Sequence, residues 1–147
     1  MKIILDTSVV LKWFVDEAGS DTAREYLENF IKGNHQLLIP TLLFYELGNA
    51  CLQSSIPPQE ISKIMELLQK LPFEIEDIGY IAFRKVYQNA FEYHLTYYDA
   101  SYVTLMQKHN CELITADQRL FRKLKEIFEK IRLLKGISSF NRFYGRG

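Results

Sequence analysis

Met1-Lys2-Ile3-Ile4-Leu5-Asp6-Thr7-Ser8 is the stretch that decides the fold. Ile3-Ile4-Leu5 is too short for a core helix and apolar on consecutive positions, as in a strand buried on both faces. It closes on an acid followed by two hydroxyl residues, a turn or a helix cap. The same grammar returns near the other end of the chain, where Leu113-Ile114-Thr115 closes on Ala116-Asp117.

Between these ends the chain alternates strands and helices. Strands are expected at Lys2–Leu5, Gln36–Ile39, Phe73–Ile78, Cys111–Thr115 and Arg132–Leu134. Val9–Val15 reads as one or two helical turns. A helix capped by Ser20 runs to about Lys32, where Gly33-Asn34 ends it. Pro40-Thr41 begins one that runs to Gln53, and Pro58, suited to a first helical turn, begins another that reaches Leu71. Further helices are expected over 79–93, 96–108 and 117–131. Strands separated by helices build parallel βαβ units, so the fold class is α/β. Residues 1–135 form one domain on this reading, and 136–147 a mobile tail.

In such sheets ligands bind beyond the carboxyl ends of the strands. Asp6 and Asp117 lie there directly. Glu46, near the start of the third helix, and Asp99, in the first turn of the helix before the fourth strand, can reach the same rim. Each has a plain alternative: Asp6, Asp99 in Thr96-Tyr97-Tyr98-Asp99, and Asp117 can be caps, and Glu46 can belong to a solvated face with Asn49 and Gln53. Together the four carboxylates are costly to crowd unless a cation joins them. An all-oxygen donor set suits Mg²⁺ or Mn²⁺ rather than Zn²⁺, and such ions serve phosphoryl chemistry.

Other chemistry finds little support. No phosphate-binding Gly-x-x-x-x-Gly-Lys loop and no Gly-x-Ser-x-Gly elbow occurs, and His35, His94 and His109 lack ligand spacing. A phosphatase with an Asp nucleophile would need a second Asp two residues after Asp6, where Ser8 stands. Cys51 and Cys111 make no disulfide framework, which points to a reducing cytoplasm. No apolar run approaches the roughly 18 residues of a membrane span, and Asp6 comes too early for a signal peptide. Charge is uneven: residues 1–118 carry 9 Lys+Arg against 16 Asp+Glu, and residues 119–147 carry 9 against 2. A basic end on an acidic body suits a polyanion, and equally a solvated helix and tail.

Four segments, Ile4-Leu5-Asp6-Thr7-Ser8-Val9-Val10, Pro40-Thr41-Leu42-Leu43-Phe44-Tyr45-Glu46-Leu47, Tyr97-Tyr98-Asp99-Ala100-Ser101-Tyr102 and Leu113-Ile114-Thr115-Ala116-Asp117, occur in the order and spacing of the PIN-domain ribonucleases. The chain resembles that family over about residues 1–135, and most closely its VapC-type toxins. The resemblance implies a three-layer fold with a five-stranded parallel sheet in the order 3-2-1-4-5. It implies endonucleolytic cleavage of RNA with Mg²⁺ or Mn²⁺, held by Asp6, Glu46, Asp99 and Asp117 and steadied by Ser8 and Thr115. The family often has an acid or Asn after its last acid; Gln118 stands there, which bears on a second ion. It further implies a homodimer, through Pro58–Leu71 and the apolar face of Thr41–Gln53, and a small antitoxin that silences the site. A housekeeping RNA-processing nuclease, or a PIN-like module that binds RNA or protein without cutting, would carry much of the same pattern.

Overall fold

The computed structural model describes residues 1–136. Its centre is β1 (Lys2–Leu5), flanked in parallel by β2 (Gln36–Pro40) and β4 (Glu112–Thr115). Two three-residue strands, β3 (Glu74–Glu76) beside β2 and β5 (Ile131–Leu133) beside β4, complete a parallel sheet in the order β3-β2-β1-β4-β5. Ile3, Ile4, Leu5, Leu37, Leu38, Ile39, Leu113 and Ile114 are all buried, as central strands covered on both faces require.

Helices flank the sheet: α1 (Thr7–Val10), α2 (Ser20–Ile31), α3 (Leu42–Gln53), α4 (Pro58–Lys70), α5 (Phe83–Tyr93), α6 (Tyr97–His109) and α7 (Gln118–Leu124). A 3₁₀ turn over Leu11–Trp13 follows α1, and the Trp13 indole donates to the carbonyl of Ala23 at 2.9 Å, pinning α2 to this corner. Helix α6 is the central one, with every residue from Ala100 to Met106 buried. Asn89 of α5 locks the two helices: it is 2% exposed and donates to Thr104 Oγ1 at 2.9 Å and Gln107 Oε1 at 2.8 Å. Asn89→Ala leaves the buried Thr104 hydroxyl and the half-buried Gln107 carbonyl oxygen without their donor. It is expected to lower stability by about 1–3 kcal/mol, read as a lower urea midpoint at unchanged slope.

Several boundaries differ from the sequence reading. Helix α2 is entered through Gly19, whose φ of +86° favours glycine. Ser20 is therefore the first helical residue rather than the cap, and its hydroxyl instead donates to the Val15 carbonyl at 2.7 Å and accepts from the Glu17 amide. Gly79, at φ +50°, holds a turn, so α5 begins at Phe83 and not at Gly79. Strand β3 is three residues of the expected six, and Ile75 on this edge is half exposed. Helix α7 stops at Leu124, short of the expected Ile131, and the chain beyond it turns with the Ile127 amide on the Leu124 carbonyl at 2.9 Å. The Phe128 ring then packs edge-on against Tyr93 at 5.2 Å. Apart from Gly136, the tail 136–147 lies outside the described residues.

Candidate active site

Pairing of β1 with β4 sets Leu5 opposite Ile114, so Asp6 emerges level with Thr115. Asp6 is the N-cap of α1 as well as the residue at the strand end: its Oδ1 accepts from the Ser8 amide at 3.0 Å and from the Ser8 hydroxyl. Ser8 Oγ in turn accepts from the Ala116 amide at 2.8 Å and stands 3.4 Å from Thr115 Oγ1. One hydroxyl therefore joins the ends of two strands around one carboxylate. Asp6 is 6% exposed, and burial pushes its carboxyl up to about 7. Hydrogen bonds from Ser8 and Thr115 pull it down, while the charges of Asp99 and Asp117 push it further up.

Asp117 caps α7, its Oδ1 accepting from the Arg119 amide at 2.9 Å and the Leu120 amide at 3.2 Å, and its own amide donates to Thr115 Oγ1 at 3.0 Å. Asp99 sits in the first turn of α6, where its amide donates to Thr96 Oγ1 at 3.0 Å. Its carboxyl is raised by burial, then by Asp117 and Glu46, with Thr96 and Lys123 acting the other way. The cap readings of Asp6 and Asp117 are thus present in the geometry, and Asp99 shares a cleft with Asp117.

Glu46 of α3 is held from below. Its Oε1 accepts from Tyr102 Oη at 2.7 Å and Thr7 Oγ1 at 3.0 Å, and those two hydroxyls are 3.0 Å apart. Burial and the neighbouring Glu46 drive the Tyr102 phenol far above its ordinary value, so it remains a protonated donor.

Asp99 is raised by both Asp117 and Glu46 and in turn raises Asp6. Among the described residues no three acids close into a ready-made ligand cluster, since Asp6 and Asp117 are turned to their caps and Glu46 to Tyr102. The donor set itself fits a hard divalent cation. It is all oxygen, and the like-charge pressure on Asp6 and Asp99 is what a dication reverses.

Sequence reasoning did not single out Thr7 and Tyr102, although Tyr102 lies one helical turn from Asp99, on the same side. The basic end, which the sequence offered either to a polyanion or to solvent, supplies two of the cleft's residues. His94, Arg119 and Lys123 line the cleft that holds Asp99 and Asp117. Lys123 Nζ donates to the His94 carbonyl at 2.5 Å, so α7 is tied to the α5–α6 turn. Arg119 and Lys123 in the lining of a cleft that also holds acids suit a substrate that is itself anionic.

A profile of the PIN domain matches residues 3–127. The chain also superposes on the crystal structure of PAE2754 from Pyrobaculum aerophilum, with a TM-score of 0.59, 21% identity, and coverage of 99% of this chain and 97% of that one. At that identity the likeness is one of fold. No curated protein matches the chain.

Proposed function

Since the chain belongs to the PIN-domain family, generally a nuclease fold, we propose that it is a metal-dependent endoribonuclease, the toxin of a VapBC-type pair. The observation that carries the reading is that Ser8 ties Asp6 to the end of β4, where Asp117 lines one cleft with Asp99.

In this reading Asp6, Asp99 and Asp117 hold Mg²⁺ or Mn²⁺, and Ser8 and Thr115 fix the Asp6 carboxylate. When bound, such an ion stabilises charge on the phosphate being cleaved and acidifies water. The protein's own groups do the positioning. Arg119 and Lys123 neutralise the phosphodiester at the cleft. Glu46, with Oε1 committed to Tyr102 and Thr7, offers Oε2 as acceptor for a proton of the attacking water. The water oxygen bonds to phosphorus as the P–O bond to the leaving nucleotide breaks.

An antitoxin would place basic or aromatic side chains in this cleft. A second copy would cover Leu52 of α3 and Met65 of α4, which are exposed. No helix among the described residues is long and apolar enough to cross a membrane, and we place the protein's work in the cytoplasm with its RNA. The absence of a ready-made ligand cluster among the described residues favours, as a second reading, a PIN module that binds RNA without cutting it. The two separate in one assay. Labelled single-stranded RNA should be cut with millimolar Mg²⁺ or Mn²⁺ and left whole in EDTA. Cutting that persists in EDTA defeats the metal mechanism, and intact RNA under both conditions favours the binding module.

A further inference from the structure

Helix α5 carries a face that the fold does not use. Val86 and Asn89 turn into the protein, whereas Phe83, Tyr87 and Phe91, spaced by one helical turn, are 57%, 56% and 75% exposed. They pack on one another: Phe83 and Tyr87 have ring centroids 6.3 Å apart and planes 26° from parallel, and Tyr87 and Phe91 are 6.4 Å apart at 24°. An isolated exposed ring needs no explanation, but a ladder of three does.

The ladder is continuous with the candidate active site. Phe83 packs on Tyr97 at 5.7 Å, in the first turn of α6 two residues before Asp99. Tyr97 shares a hollow with Tyr45 and Tyr98, and those two also line the hollow that contains Glu46. The ladder thus reaches, through Tyr97, the hollow next to the one that holds Glu46. Cations stand at its start and an acid at its end: Arg84 and Lys85 follow Phe83, neither held in an ion pair among the described residues, and Glu92 follows Phe91.

We infer that the ring ladder from Tyr97 through Phe83 and Tyr87 to Phe91 is a stacking platform for unpaired bases of RNA lying next to the scissile bond. Unpaired bases offer open faces to aromatic rings, whereas a duplex stacks its bases internally and shows proteins its backbone and shallow groove. The ladder therefore selects single-stranded RNA. Arg84 and Lys85 meet the phosphates of the same strand. This inference rests on the RNA reading of the site and adds the conformation of the substrate to it.

The test is binding of a short labelled single-stranded RNA, and of a hairpin duplex, by fluorescence anisotropy in EDTA at fixed salt, so that no cleavage contributes. Tyr87→Ala and Phe91→Ala, both at surface positions, are each expected to weaken single-strand binding about 10-fold and to leave duplex binding unchanged. Tyr87→Trp should retain affinity, and its indole fluorescence should be quenched as RNA binds. Circular dichroism checks that each variant is folded. Unchanged single-strand affinity in both alanine variants overturns the inference. So does a change from dimer to monomer on gel filtration with RNA affinity intact, which assigns the ladder to a second copy of the chain. If the parent protein cuts RNA while the ring variants bind normally, the ladder fails and the nuclease reading stands. If the parent never cuts but the variants lose single-strand binding, the ladder stands and the nuclease reading fails.

Discussion

Asp6→Asn is expected to lower RNA cleavage by about 10²–10⁴-fold, the range lost with one key electrostatic or proton-transfer group, while making the metal-free protein more stable. The amide matches the carboxylate in size and keeps an oxygen for the Ser8 amide, which Asp6 Oδ1 now accepts at 3.0 Å. What disappears is a buried negative charge. A carboxyl moved from 3.8 to about 7 by folding opposes the folded state by roughly 4 kcal/mol once ionised, at about 1.4 kcal/mol per unit. Asparagine escapes that opposition, so thermal unfolding in EDTA at pH 8 should move upward. Initial rates on a labelled RNA with Mn²⁺ supply the other half of the measurement. A variant that cuts like the parent, or one that is less stable in EDTA, removes Asp6 from the role proposed for it.

The second large effect is the pH dependence of the metal-free protein. The Asp6 pKa is higher folded than unfolded, so its contribution to stability is fully present below about pH 4 and is lost as pH rises toward 7. Asp99 is raised as well and acts in the same direction. Glu76 runs the opposite way. Burial pushes it up, but Lys108 and His109 together hold it below its ordinary value, so its smaller contribution is lost as pH falls. The expected outcome is a melting temperature in EDTA that declines between about pH 5 and pH 7. Millimolar Mn²⁺ should restore stability at pH 8 by mass action on the folded state and do little at pH 5, where protons hold Asp6 already. Melting curves in EDTA and in Mn²⁺ across this range decide it. A metal-free protein whose stability rises from pH 5 to pH 7 contradicts the assignment of Asp6 as the buried anion.

The parts of this protein that could be read from sequence are those set by local pattern. Ile3-Ile4-Leu5 and Leu113-Ile114 are apolar on consecutive residues because both faces of β1 and β4 are covered, and that mark survives in one dimension. The sheet order, expected from the family resemblance, is the order observed. The acids at the two strand ends were visible because a strand followed by Asp is itself a local signal. What was hidden depends on distant partners. The Tyr102 hydroxyl meets Glu46 across 56 residues of sequence, and nothing about a tyrosine inside a buried helix announces that. Arg119 and Lys123 belong to a basic end that suited a polyanion or solvent equally, and only the fold shows that they line the cleft with Asp99. Ser20 looks like a cap, but Gly19 adopts the left-handed turn before it and the hydroxyl is drawn to Val15 instead.

The two short strands have a consequence for how the molecule comes apart. β3 and β5 close the sheet at its edges, and each is three residues long. Local opening begins where few contacts hold the backbone, so these margins exchange their amide protons first. Asp6 and Asp117 leave β1 and β4, which are paired directly with each other inside the sheet. The strand ends that carry Asp6 and Asp117 are therefore expected to exchange later than the margins. A molecule that has frayed at both margins still carries those strand ends whole, and shedding an edge and losing the chemistry are separate events.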